Sequence, residues 1–92
     1  MCVEVKNLNG TTNNSPQNSC SSWKEWWEKQ MNREFGYCSC RNCFNLAEVG
    51  AHVKKVNGGN EWYIVPLCKE CNAKIDNFYV SEYDLAKINS SN

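Results

Sequence analysis

Apolar residues at Trp23, Trp26, Trp27 and Met31 recur at i, i+3, i+4 and i+8, while Lys24, Glu25, Glu28 and Lys29 fill the other side. That spacing predicts an amphipathic helix with its tryptophans turned to a core. Ser22-Trp23-Lys24-Glu25 is a capping-box pattern that starts the helix at Trp23, and Gly36 is the expected stop. Further on, Glu48–Val56 and Glu61–Leu67 have strand character and flank Asn57-Gly58-Gly59-Asn60, a strong hairpin signal. Alternation puts Ala51 and Val53 on one strand face and His52 with Lys54 on the other. Ile75 and Phe78 are spaced as the face of a helix opening near Asn72, and Ser81-Glu82-Tyr83-Asp84 reads as the cap of a short C-terminal helix carrying Tyr83, Leu85 and Ile88.

The N-terminal segment is different. Val3 and Val5 alternate over too short a run to predict more than an edge strand, and Asn7 to Ser19 holds little that can pack after Leu8. Residues 1–20 are therefore expected to form a flexible leader before one domain, 21–92, with its core in 38–78. Ninety-two residues suffice for one core and not two.

Ten basic and ten acidic residues cancel, so no global field holds a polyanion, and any nucleic-acid contact must be local. No run approaches a membrane span or a secretory signal, and a cytoplasmic protein without membrane contact is expected. Seven cysteines, an odd number, then favour metal ligation over disulfides.

Cys40-x2-Cys43 and Cys68-x2-Cys71, with 24 residues between the pairs, supply four thiolates at the spacing of a structural zinc ribbon or treble clef. Four thiolates leave such a zinc no open position, so its role is to staple a core that is small for independent stability. Cys38 stands two residues before Cys40 and offers a C-x4-C alternative; Cys2 and Cys20 are bystanders. A thiol redox role for one C-x2-C pair is the competing reading of the same spacing.

Ala51-His52-Val53, Gly58-Gly59, Ile64-Val65-Pro66-Leu67-Cys68 and Cys71-Asn72-Ala73-Lys74 resemble an HNH endonuclease domain across Cys38–Asp76. The resemblance implies a ββα-metal fold, with His52 as general base and Asn72 as ligand of a catalytic divalent cation such as magnesium. Phosphodiester hydrolysis needs a base that titrates near neutrality and a hard cation to stabilise developing charge. Ala51 occupies the position of the family's usual second ligand, and Tyr63-Ile64 that of its usual Asn-Leu. Asp76, four residues after Asn72, is the candidate substitute ligand if a helix continues that far. The expected protein is a small α+β zinc domain of treble-clef or ββα-metal type, with an N-terminal amphipathic helix and a short C-terminal one. Its expected function is metal-dependent endonuclease or, alternatively, an inactive HNH-like module that binds a protein or nucleic-acid partner.

Overall fold

A computed structural model describes residues 1–8 and 22–88. The flexible-leader expectation for residues 9–20, and Cys20 with it, lies outside the described residues. The elements run β1 (Cys2–Asn7), α1 (Trp23–Met31), β2 (Val49–Lys55), β3 (Trp62–Leu67), α2 (Lys69–Asn72), β4 (Phe78–Ser81), a 3-10 turn (Glu82–Asp84) and β5 (Ala86–Lys87). The strands form one antiparallel sheet in the order β4-β1-β2-β3-β5.

The predicted hairpin is β2–β3, registered from Val49 opposite Leu67 to Lys54 opposite Trp62. Helix α1 starts where the capping box puts it, with Ser22 Oγ accepting the Glu25 backbone N–H at 3.1 Å. It ends earlier than Gly36 suggests. Asn32 adopts the left-handed conformation (φ 55°) and its N–H returns to Glu28 O, a short polar residue serving where glycine is usual.

β1 departs most from expectation, because it lies inside the sheet rather than at its edge or in a loose leader. Val5 stands opposite both Lys55 of β2 and Phe78 of β4, and is fully buried. Val3 and Val5 face the core while Lys6 faces water, so two apolar residues meet the needs of a strand buried on one side.

Both C-terminal helix expectations fail for a shared reason: tertiary partners capture the backbone. α2 is a single turn, and Asn7 Nδ2 from β1 donates to Cys71 O (3.1 Å) and Lys74 O (2.9 Å), carbonyls that a longer helix would use itself. Ile75 is left exposed and Phe78 enters β4. After the 3-10 turn, Leu85 is extended and Ala86–Lys87 pair with Tyr63 and Ile64.

Each sheet face carries its own core. Val5, Ala51, Val53, Val65, Leu67, Phe78 and Val80 pack with Cys38, Cys40, Cys68 and Cys71 on one face. On the other, Trp26 and Trp27 of α1 pack on Ile64 and Ala86, as the helix stripe predicts. Gly50 permits this approach: a Cβ there would lie 2.9 Å from the Trp23 carbonyl carbon.

Candidate metal centre

The first cysteine segment is pinned as an extended strip. Cys38 N–H donates to Asn45 O, Ser39 N–H to Pro66 O and Arg41 N–H to Tyr79 O. Ser39 turns outward, its hydroxyl donating to Asp84 Oδ2 (2.8 Å) and accepting from Ser81 N–H (3.1 Å). Period-two alternation then sends the side chains of Cys38 and Cys40 the opposite way, into the core. The chain reverses through Arg41 and Asn42, the latter left-handed at φ 67°, and Cys43 N–H closes the turn on Cys40 O at 3.1 Å. A bridge between Tyr37 and Leu46 shuts the loop.

The second pair sits at the mouth of α2. Cys68 is its N-cap residue, Asn72 N–H donates to Cys68 O, and Cys71 lies within the turn. Glu48 Oε1 accepts the Lys69 N–H at 3.1 Å, so a carboxylate meets an unpaired helix-start donor.

These segments bring the Sγ atoms of Cys38, Cys43, Cys68 and Cys71 within 4.8 Å of one another. Cys43 Sγ and Cys68 Sγ are 3.8 Å apart. A tetrahedral ion with bonds of about 2.3 Å to sulfur has edges of about 3.8 Å. The fit is thus geometric as well as chemical, and the four cysteines could hold a metal ion such as zinc.

Local electrostatics favour a cation. Burial opposes the Cys68 thiolate, but the Cys71 backbone N–H, the Asn45 amide and the thiols of Cys71 and Cys43 bond to it, and its pKa falls to about 7. Burial pushes Cys38 up to about 11. Cys71 is driven far above the ordinary thiol range by burial and by its Cys40 and Cys38 neighbours. A thiolate is accommodated at Cys68 and resisted at Cys38 and Cys71, which is the condition a divalent ion relieves. Lys74 stands by, its ammonium held charged principally by Cys40.

Cys43, Cys68 and Cys71 of the expected set converge, but the fourth sulfur is that of Cys38, in the C-x4-C pairing. Cys40 is buried alongside in the same core. Spacing alone leaves the choice open, since Cys-x-Cys-x2-Cys offers both. Sequence reasoning also passed over Asn45, whose Nδ2 donates to Cys68 Sγ at 3.7 Å and to Glu70 Oε1 at 3.2 Å.

The structure does not bring the proposed hydrolytic residues together. His52 does project from the face opposite Ala51 and Val53, but that face lies under α1. Its ring meets Trp23 edge-on at 4.8 Å and Trp62 at 6.2 Å. It is 7% exposed, its Nε2 has no partner, and burial lowers its pKa. α2, which carries Asn72, lies with Cys71 on the other side of the sheet. Asp76 is exposed in the loop beyond α2, so no helical turn aligns it with Asn72. Among the described residues, no second group of three or more Cys, His, Asp or Glu side chains converges, at Asn72 or elsewhere.

No helix among the described residues is long and apolar enough to cross a membrane. Comparison with protein-family models, with curated proteins and with solved structures gave no match to this chain.

Proposed function

We propose that the cysteine cluster holds a structural zinc ion and that the chain is a zinc-stapled binding module rather than a hydrolase. The convergence of four sulfurs, with a 3.8 Å edge between Cys43 and Cys68, carries this reading. Soft thiolates in a closed tetrahedral set suit zinc, and such a site neither activates water nor polarises a substrate. The HNH resemblance then concerns the two cysteine pairs and the hairpin between them. A general base has to reach a water molecule. His52, enclosed by two indoles across the sheet from Asn72, supports a packing role instead, and the partner of such a module is a protein or a nucleic acid.

Two measurements on the full chain test this. Metal analysis of purified protein should give one zinc per chain, and a chelator should remove both the metal and most of the cooperative thermal transition. Zinc-loaded protein supplied with magnesium, manganese or nickel should leave plasmid, single-stranded DNA and RNA intact. Cleavage by the wild type but not by folded His52→Ala would overturn the non-hydrolytic reading, and a metal-free chain that melts normally would overturn the zinc.

A further inference from the structure

Four sulfurs complete a tetrahedron, yet five buried or half-buried thiols surround this centre. Cys38 and Cys40 are equally buried, at 5% exposure, and lie in the same core cluster as Cys68 and Cys71. The outward turn of Ser39, bonded to Asp84 and Ser81, forces both thiols inward from one extended strip.

The two thiols reach the centre by different routes. Cys38 is already within 4.8 Å of the other three sulfurs. Cys40 has the tighter backbone relation to Cys43: the Cys43 N–H bonds to Cys40 O across a turn with left-handed Asn42, which holds the two cysteines as a short clamp.

We propose that the fourth coordination position is shared, with Cys38 and Cys40 exchanging as ligand while Cys43, Cys68 and Cys71 remain bound. This rests on the metal reading above and goes beyond it, because it makes the centre an exchangeable one. The step is a ligand substitution without redox change. Cys40 Sγ loses its proton as it binds, the departing Cys38 thiolate takes one up, and the charge of the centre is conserved.

Full-length wild type, Cys38→Ser, Cys40→Ser and the double variant are loaded with divalent cobalt, and its ligand-field and thiolate-to-cobalt bands are followed under chelator competition. Each single variant should keep the four-thiolate spectrum with an affinity loss of less than about tenfold. The double variant should shift to a three-thiolate spectrum and lose about a hundredfold or more, beyond the range of an outer-shell change. If one single variant behaves like the double, that cysteine is a fixed ligand and the proposal fails. If wild type shows no four-thiolate spectrum, the metal reading itself fails. Should a variant not fold, the cysteine Cβ resonances of zinc-loaded wild type decide. Partial metal-bound character at both Cys38 and Cys40 supports exchange, and one fully bound beside one fully free refutes it.

Discussion

Replacing His52 with leucine removes the side chain of a residue that is 7% exposed and has no partner at Nε2. An unsatisfied buried polar atom costs about 1–3 kcal/mol, and the variant recovers it. Against this stands the loss of the edge contacts with Trp23 at 4.8 Å and Trp62 at 6.2 Å, about 0.5–1.5 kcal/mol each. The two nearly cancel, so at pH 8 the variant should match wild type within about 1 kcal/mol. Acidification separates them. Burial lowers the folded pKa, so below the ordinary imidazole value near 6.5 the unfolded chain takes a proton that the folded chain refuses. Stability attributable to neutral His52 is therefore present above that value and is lost as pH falls toward the folded pKa, by at most about 1.4 kcal/mol per pH unit. Urea unfolding of both proteins from pH 8 to pH 5 measures the difference at each pH. The cysteine centre also weakens in acid, but it lies on the opposite sheet face and cancels in the subtraction. A difference that stays constant with pH, or a loss above about 3 kcal/mol at pH 8, refutes the enclosed histidine with an unpartnered Nε2.

Gly50→Ala places a methyl group 2.9 Å from the Trp23 backbone and should lift the start of α1, costing about 1–3 kcal/mol in urea and raising tryptophan exposure to quenchers. Trp27→Phe loses the indole N–H bond to Asp84 O at 2.8 Å and part of a ring that is 1% exposed, which should lower stability by about 2 kcal/mol in the same assay. Asp84→Ala removes the acceptor of both Ser39 Oγ and Arg33 Nη2; with Arg33 half exposed, the loss should be about 1–2 kcal/mol, mostly from the Ser39 side.

Elements whose signals are local were legible in the chain. The Ser22 cap and the Trp stripe define α1, and the Asn-Gly-Gly-Asn turn joins two strands, because each depends on neighbours a few residues away. The misreadings cluster where distant residues decide. Asn7 captures carbonyls of Cys71 and Lys74 across more than sixty positions, and Trp27 binds the carbonyl of Asp84. No window of sequence contains both partners. The cysteine cluster was legible in its chemistry but not in which of Cys38 and Cys40 joins it, because the two share one parity along an extended strip. His52 shows the limit of alternation as a guide: it gives the side of the strand and says nothing of the helix laid over it.

The interior position of β1 bears on how the chain comes together during synthesis. β1 emerges first, but its neighbours are β2, some fifty residues later, and β4, where Cys2 faces Ser81. Closing such a span costs entropy before any contact repays it. The hairpin and all four clustered cysteines precede β4 along the chain, so the cysteine segments can come together while the sheet is still open between β2 and β4. Until β1 slots into that gap, Val53 and Val80 each border an unpaired edge. The vulnerable interval for aggregation thus follows the gathering of the cysteines, and a released chain truncated before Phe78 should be the species that a chaperone holds.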